Sequence, residues 1–275
     1  MSAPRQITLA RLAELGILPD TRLGQHFLLD DNLVRVAFRL AELEPDDVVI
    51  EIGPGLGVMT AALAGAAAFV HAIELDRRLE PALRATLAGH DNVAVRFEDA
   101  VDLDPSTLEP PPTAFVSNLP YNVATSLIID SLHRMPSVRR WAVMIQRELG
   151  DRLFAQPGTP AYGAPSVLVQ LACERTGTHR VSRAVFVPPP NVDSLLVGFR
   201  RSAAWPELAP RWERTAHLVH AGFGTRRKTL ANALDIAGFA ARADVEAALA
   251  SLHIDARVRA EALPPATFVA LEALI

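Results

Sequence analysis

Residues 48–57 read VVIEIGPGLG, and this stretch decides the fold. Its first five residues are mostly β-branched, which is typical of a buried strand. Gly53, Gly55 and Gly57 follow at alternate positions, and residues 58–64 have the composition of a helix. A strand that enters a helix through a tight glycine turn is a building unit of α/β sheets.

The same alternation continues along the chain. It predicts further strands at 69–73, 93–97, 114–116 and 141–145, and helices at about 35–43, 77–88, 125–133 and 148–155. Strands that alternate with helices imply right-handed crossovers and a parallel sheet covered on both faces. Two later segments, 167–172 and 194–199, are predicted to be antiparallel strands.

The composition changes after Arg201. Residues 205–275 have helical patterning, and the chain from Arg201 onward carries a net charge of +1, whereas the whole chain carries −4. We therefore predict an α/β domain over 1–201 and a small, all-helical domain over 202–275.

Composition excludes several classes of protein. A net charge of −4 argues against a nucleic-acid coat or a polybasic membrane anchor, although it allows a local basic patch. Cys173 is the single cysteine, so no internal disulfide can form, and the reducing cytosol is the expected location. The longest uncharged stretch, 52–73, contains Pro54 and four glycines and is not expected to span a membrane.

The predicted strand ends carry residues suited to a nucleoside. Ligands of open α/β sheets bind beyond the carboxyl ends of the strands, where we place Gly53, Glu74, Asp99 and Asn118. The glycine spacing is not that of a dinucleotide fingerprint, which disfavours a nicotinamide dehydrogenase. Glu74 could accept both ribose hydroxyls, or be a solvated strand-end charge; Asp99 could accept from an adenine amino group, or cap a helix. Together they predict a pocket for an adenosine-bearing ligand.

Asn118-Leu119-Pro120-Tyr121 is the most informative tetrapeptide. The amino group of adenine is a poor nucleophile because its lone pair is delocalised into the ring. An asparagine oxygen and a backbone carbonyl that both accept from this group would favour a tetrahedral nitrogen and stabilise its developing positive charge. Tyr121 offers a face on which a flipped base can stack. The alternative is a loop of turn residues with a packed tyrosine.

With these motifs the chain resembles the ribosomal RNA adenine N6-dimethyltransferase family, and most nearly its members that act on bacterial small-subunit (16S) RNA. The resemblance covers nearly the whole chain. The matching segments are 23–28 (LGQHFL), 51–57 (EIGPGLG), 73–76 (IELD), 99–100 (DA), 118–122 (NLPYN), 146–148 (QRE), 162–163 (YG), 166–170 (SVLVQ), 186–194 (FVPPPNVDS) and 226–230 (RRKTL).

The resemblance implies a Rossmann-like S-adenosylmethionine-dependent methyltransferase sheet with a C-terminal helical domain. Residues 1–201 would then be the catalytic domain and 202–275 the RNA-contacting domain. The implied reaction is N6,N6-dimethylation of two adjacent adenosines of 16S rRNA in an immature small subunit. We expect a monomeric, cytoplasmic enzyme that uses no metal.

The family's functional residues carry over to matching positions of this chain. The implied methyl-donor contacts are His26, Leu28, Gly53, Glu74, Asp99 and Asn118. The implied catalytic residues are Asn118, Leu119, Pro120, Tyr121 and Phe186, with Phe186 as a second stacking partner of the base unless it packs in the core. The implied RNA-binding residues are Arg226, Arg227 and Lys228.

The chain departs from the family pattern at three positions. His26 stands where the family usually has Asn, which keeps one hydrogen-bond donor. Thr225 and Ala231 replace a Gln and an Arg around the basic run. If Thr225 caps a helix, three cations in its first turn oppose the macrodipole, and an RNA phosphate would offset the cost. The alternative is a solvated helix face.

Three other functions share parts of this pattern. A large-subunit RNA adenine methyltransferase that confers antibiotic resistance shares the motifs, but its members are usually more basic than a pI of about 6.1. A DNA adenine methylase generally has a second proline where Leu119 stands. An RNA-binding assembly factor without catalysis is disfavoured by the intact Glu74, Asp99, Asn118 and Tyr121.

Overall fold

The computed structural model describes residues 10, 12–14, 16–20, 23–28, 30–225 and 227–275. The strands are β1 (Phe27–Leu28), β2 (Val48–Ile52), β3 (Phe69–Glu74), β4 (Val93–Phe97), β5 (Ala114–Asn118), β6 (Arg140–Gln146), β7 (Cys173–Val181), β8 (Phe186–Val187) and β9 (Ser194–Arg201).

The helices alternate with the strands in the first part of the chain and follow one another in the last part. They are α1 (Asp31–Ala41), α2 (Val58–Ala64), α3 (Glu80–Thr86), α4 (Ala124–Arg134), α5 (Arg147–Leu153), α6 (Ala164–Ala172), α7 (Trp205–Leu208), α8 (Trp212–Phe223), α9 (Leu230–Ile236), α10 (Arg242–Ser251) and α11 (Pro265–Glu272).

Within the described residues, seven strands form one sheet in the order β4-β3-β2-β5-β6-β9-β7, which confirms the predicted α/β class. Strands β2 to β6 pair in parallel, and β9 pairs antiparallel to β6. Every residue of β2 is buried, because this strand lies in the middle of the sheet and both faces are covered. The pairing of Ile52 with Ile73 brings the carboxyl ends of β2 and β3 to the same level.

The apolar core lies against the sheet. One cluster joins α1 and α2 to the strands through buried side chains such as Leu33, Leu63 and Val49. A second cluster includes Phe27 and Leu83 and lies beside the glycine loop. These clusters fix the helices that follow β2 and β3, and so fix the direction of the chain at the two strand ends.

Residues 167–172, which we predicted to be a strand, lie within helix α6, and this prediction was wrong. Val167, Leu168 and Val169 are completely buried at three successive positions, so this part of the segment has no polar face by which a helix could be recognised. The helix begins where the Ser166 hydroxyl accepts from the Gly163 backbone N–H, at 3.0 Å. The predicted strand at 194–199 is confirmed as β9.

The chain divides into two compact units, each made of two segments. The first comprises the described residues up to 150 together with 175–200, and the second comprises 151–174 together with 201–275. Our predicted division into 1–201 and 202–275 differs because it places 151–174 in the first unit. Helix α6 packs against α8 and α11 of the second unit. Each unit contains two separate segments of the chain, so one boundary in the sequence cannot describe the division.

Candidate active site

The carboxyl ends of four parallel strands, β2 to β5, surround one cavity of about 150 Å³. We call it the strand-end cavity. Gly53, Glu74, Asp99 and Asn118 all line it, so the structure brings these predicted residues together. They converge because parallel strands of one sheet end at the same edge.

Glu74 holds the glycine loop that follows β2. Gly53, Gly55 and Gly57 have φ angles of 71°, 61° and 80°, in the left-handed region that favours glycine. The Gly55 N–H donates to Glu74 Oε2 at 3.0 Å, and the Asp76 N–H donates to Glu74 Oε1 at 2.8 Å. A carboxylate has about four acceptor sites, so Glu74 keeps capacity for a ligand hydroxyl as well.

The two carboxylates of the strand-end cavity have different surroundings. Glu74 is buried, and this burial raises its pKa above the usual value. Asp99 is exposed, and its Oδ1 accepts from the Val101 N–H at 2.9 Å within a turn. No helix begins at Asp99, since the next helical turn, at 105–107, is capped by Asp104, so the capping alternative does not hold. Asp99 still lines the cavity, where a ligand contact is open to it.

Glu51 is a functional candidate to which the sequence reasoning gave no role of its own, although it begins the matching segment 51–57. It is 1% exposed, and its Oε2 has no hydrogen-bond partner among the described residues. Burial raises the pKa of Glu51 to about 8. It lines a second cavity, of about 50 Å³, which also contains Gly53 and Asn118 and which we call the Glu51 cavity. The signal in the sequence was a single acidic residue inside the apolar strand VVIEI.

The N-terminal segment closes over the strand ends. The Asn118 side-chain amide donates from Nδ2 to the His26 carbonyl at 3.2 Å, and Gln25 Nε2 donates to Asp76 Oδ2 at 2.7 Å. His26 lines the strand-end cavity and Leu28 lines the Glu51 cavity. Gln25 also lines the strand-end cavity, although the family resemblance implied no role for it.

Asn118 and Leu119 offer different atoms to the site. Because Asn118 Nδ2 donates to a carbonyl, its Oδ1 is the end of the amide that can accept from a ligand. The Leu119 side chain is 1% exposed and packs in the core, so only its backbone carbonyl can serve the site. Pro120 lines the strand-end cavity directly.

Tyr121 lies on a third and larger cavity of about 610 Å³, which we call the Tyr121 cavity. His26, Gln146 and Asn191 also line it. Tyr121 Oη lies 2.6 Å from Ser194 Oγ and shares a hydrogen bond with it, which fixes the ring. Partial burial raises the pKa of the Tyr121 phenol, so the ring is neutral near pH 7.

Phe186 is placed differently from its implied role. Its side chain is completely buried in the core cluster that contains Leu33 and Val116, and its backbone pairs with Leu28. No surface of the ring is open to a stacked base in this conformation. The structure favours the alternative of core packing for Phe186.

The basic run lies in the second unit. Arg226 falls outside the described residues, whereas Arg227 and Lys228 are exposed. The condition that Thr225 caps a helix is not met, because α9 begins at Leu230 with Thr229 as its N-cap residue. Arg227 and Lys228 therefore precede the helix, and the Lys228 N–H donates to the Thr225 carbonyl at 3.0 Å.

A cavity of about 210 Å³ lies beside this turn within the second unit. Three cationic side chains line it, from Arg152, Lys228 and Arg259, and we call it the Lys228 cavity. Glu261 is the acidic residue of its lining and lies 3.9 Å from the Arg259 guanidinium. The buried Thr225 Oγ1 has no hydrogen-bond partner among the described residues. The surplus of positive charge suits an anionic ligand.

The described part of the chain holds neither a metal-ligand cluster nor a membrane-spanning helix. Among these residues, no three His, Cys, Asp or Glu side chains are grouped so as to hold a metal ion. Within the same residues, no helix has both the length and the apolar character needed to cross a bilayer.

The fold and the side chains at its strand ends define the class of Rossmann-like methyltransferases. The family model described as "Ribosomal RNA adenine dimethylase" matches residues 19–275. A relative from Thermobifida fusca, "Ribosomal RNA small subunit methyltransferase A", is 44% identical over 261 residues, which cover 93% of this chain and 90% of the relative. This chain belongs to the ribosomal RNA adenine dimethylase family, and it is a methyltransferase.

Solved structures agree with the fold. A dimethyladenosine transferase from Plasmodium falciparum has a TM-score of 0.76 and 23% identity, covering 90% of this chain and 96% of that one. The 23S rRNA methyltransferase ErmE has a TM-score of 0.66 and 29% identity, covering 90% of this chain and 98% of that one.

The buried carboxyl of Glu51 predicts a pH dependence of stability in the protein without ligand. Its pKa rises from 4.5 to about 8 on folding, so the folded state holds a proton that the unfolded state has lost between these values. The free energy of unfolding should therefore fall as pH rises from 4.5 to about 8, by up to about 1.4 kcal/mol per pH unit. Urea unfolding at pH 6 and pH 8 should show a smaller fall in the free energy of unfolding for Glu51→Gln than for the original protein. Equal falls in the two proteins would contradict the raised pKa of Glu51.

Proposed function

We propose that this protein transfers methyl groups from S-adenosyl-L-methionine to N6 of two adjacent adenosines near the 3′ end of 16S rRNA, in an immature small ribosomal subunit. The product at both positions is N6,N6-dimethyladenosine. The observation that carries the proposal is the orientation of the Asn118 amide. Its Nδ2 donates to the His26 carbonyl, so its Oδ1 remains free to accept from a substrate. We propose that the protein acts as a monomer in the cytoplasm.

The strand-end cavity and the Glu51 cavity support S-adenosylmethionine as the donor. The unpaired Oε2 of buried Glu51 suits a cationic ligand, since a buried acceptor without a partner is costly. The glycines in the left-handed region let the loop backbone approach a ligand closely. At Gly55 a side chain would also be crowded, because a Cβ there would lie 3.1 Å from the Phe27 ring. Glu74 would bind the ribose, Asp99 the adenine, and Gly53 the methionine part.

The methyl acceptor would be prepared by the turn after β5. When bound, S-adenosylmethionine supplies an electrophilic methyl group. Asn118 Oδ1 and a neighbouring backbone carbonyl would accept from the two N–H groups of the adenine amine, which favours a tetrahedral nitrogen and frees its lone pair. The same oxygens would stabilise the positive charge that develops on the nitrogen. No side chain has to act as a general base, because the alkylated nitrogen is itself acidic.

Tyr121 would hold the flipped base. A neutral ring on the wall of a 610 Å³ cavity gives a flat surface for stacking. The hydrogen bond with Ser194 keeps the ring in place before the base arrives. The cavity is wide enough for an extruded base, and this pre-organisation lowers the entropic cost of binding it.

The second unit would supply the contacts to RNA. The protein as a whole is negative, so RNA must meet local positive surface. Arg152, Lys228 and Arg259 line one cavity next to the exposed Arg227, and this concentration of cations suits the phosphates of folded RNA. The sequence run 226–228 would extend the same surface.

The comparisons favour this substrate over its nearest rival. The small-subunit relative from Thermobifida fusca is 44% identical to this chain, whereas ErmE, which is named for 23S rRNA, is 29% identical. An assembly factor without catalysis would have no use for the arrangement of Glu51, Glu74 and Asn118 around adjoining cavities.

The test is methylation of small subunits that lack the modification. Purified protein and S-adenosylmethionine should convert two neighbouring adenosines near the 3′ end of 16S rRNA to the dimethylated form, as read by mass spectrometry of the isolated fragment. Free large subunits serve as the control substrate. Methylation of 23S rRNA instead, or of neither RNA, would reject the proposal.

Replacement of Glu74 should weaken donor binding. Glu74→Ala removes a charge-assisted pair of ribose contacts, so we expect binding to weaken by about 1.5–3 kcal/mol, or about 10- to 150-fold in Kd. Calorimetry with S-adenosylhomocysteine measures the affinity. Urea unfolding of the same variant shows whether it is folded, because Glu74 also holds the backbone N–H groups of Gly55 and Asp76. Unchanged affinity in a folded variant would refute the ribose assignment.

Replacement of Asn118 should affect turnover more than RNA affinity. Asn118→Ala removes one acceptor from the transition state, and we expect the single-turnover rate to fall by about 10²–10³-fold. Asn118→Asp keeps an acceptor in place of Oδ1 but lacks the amide donor to the His26 carbonyl, so it separates the two functions of the side chain. Normal single-turnover methylation by Asn118→Ala would contradict the electrostatic role.

Reversal of charge beside the Lys228 cavity should abolish docking on RNA. We expect the double variant Arg227→Glu with Lys228→Glu to lose productive binding to immature small subunits while its affinity for S-adenosylhomocysteine stays unchanged. A matched control, Arg242→Glu with Arg257→Glu, changes the charge of the second unit equally at two other exposed arginines. Filter binding at several salt concentrations should show a shallower salt dependence for the first variant alone, by about 0.7–0.9 in slope for each phosphate that the variant no longer binds. Equal slopes in both variants would place the docking surface elsewhere.

A further inference from the structure

The imidazole of His26 is fixed on the substrate side of the site. Its Nδ1 lies 2.8 Å from the carbonyl oxygen of Pro188. A carbonyl oxygen only accepts, so Nδ1 carries a proton and donates it. Pro188 directly precedes Pro189 and Pro190, which line the Tyr121 cavity, so this bond ties the ring to the wall of that cavity.

The same imidazole covers one side of Tyr121. The two ring centroids are 5.6 Å apart, and the ring planes are inclined by 27°, a stacked arrangement. An aromatic ring has two faces, and His26 takes up one of them. A base that stacks on Tyr121 without displacing His26 must therefore lie on the opposite face.

His26 serves the donor side of the site through its backbone. Its carbonyl oxygen accepts from Asn118 Nδ2 at 3.2 Å, an interaction that any residue at this position can provide. Its side chain has its described polar contact with Pro188 and its ring contact with Tyr121. His26 lines both the strand-end cavity and the Tyr121 cavity. Its hydrogen bond with Asn118 is made by the backbone, whereas the described contacts of its ring are with Pro188 and Tyr121.

We infer that the His26 side chain is a positioning residue for the target base, which it confines to one face of Tyr121, and that it contributes nothing to the affinity for the methyl donor. This assignment replaces the donor contact that the family resemblance implied for the side chain. It rests on the proposed function, since it concerns the base that this site would methylate.

Confinement to one face matters because methyl transfer is sensitive to orientation. A base that can stack on either face of Tyr121 presents its amino group to Asn118 Oδ1 in only part of its bound states. Loss of this confinement would therefore lower kcat, the rate at which the bound complex reacts. The affinities for donor and RNA would not change, because the contacts that bind them are unchanged. A side chain that merely stabilised the fold would instead lower the free energy of unfolding and all activities together.

The test uses two variants at position 26. His26→Ala removes both the ring and the donor; His26→Phe keeps a ring for Tyr121 but removes the hydrogen bond to Pro188. With small subunits as substrate we expect kcat of His26→Ala to fall about tenfold, the Kd for S-adenosylhomocysteine to stay within about twofold of the original, and His26→Phe to recover most of kcat. Glu74→Ala is the control with the opposite pattern, a weakened Kd for the same probe.

Several outcomes would overturn the inference. A weakened Kd for S-adenosylhomocysteine in folded His26→Ala or His26→Phe would return the side chain to donor binding. An unchanged kcat in His26→Ala, or no recovery in His26→Phe, would show that the stacked ring does not position the base. If His26→Ala does not fold, the kcat and Kd of His26→Phe decide the question. Because the original protein is measured in parallel, its failure to methylate would reject the proposed function and not this inference alone.

Discussion

The bond between the Glu74 carboxylate and the backbone N–H of Gly55 links the ends of the first two strands of the site. The other oxygen of the Glu74 carboxylate accepts from the Asp76 N–H. One buried side chain therefore holds both the loop after β2 and the turn after β3. Asp76 in turn accepts from Gln25, which connects the N-terminal segment to the same point. The cavity at the strand ends exists in its observed form because this chain of polar contacts is complete.

The local pattern of the sequence predicted most of the first unit. The parallel strands, the glycine loop and the convergence of Gly53, Glu74, Asp99 and Asn118 follow from short β-branched runs and from the geometry of parallel sheets. Residues 167–172 were not predictable in this way, because three successive buried apolar residues, Val167 to Val169, are equally typical of a strand covered on both faces. The two-residue pair of β1 and β8 is too short to leave a pattern, although it brings the N-terminal segment to the site.

The roles that the resemblance implies for Phe186 and His26 rest on position in a motif, and a motif does not show which way a side chain points. In the structure the Phe186 side chain lies in the core, and the His26 ring stacks on Tyr121. Sequence reasoning assigned Glu51 no role, because its interest lies in the lack of a partner for Oε2 among the described residues, which only three-dimensional packing reveals. The cap of α9 is Thr229, a residue that the sequence reasoning did not consider for this role.

The second unit is assembled from two separated stretches of chain, and this limits how the protein can be divided. A fragment that ends near residue 201 would still carry α6, whose Val167, Leu168 and Val169 are fully buried in the whole protein. Without α8 and α11, against which α6 packs, those side chains would face water. Neither unit is therefore a continuous stretch of the chain. To produce the first unit on its own, residues 151–174 would have to be removed as well as residues 201–275.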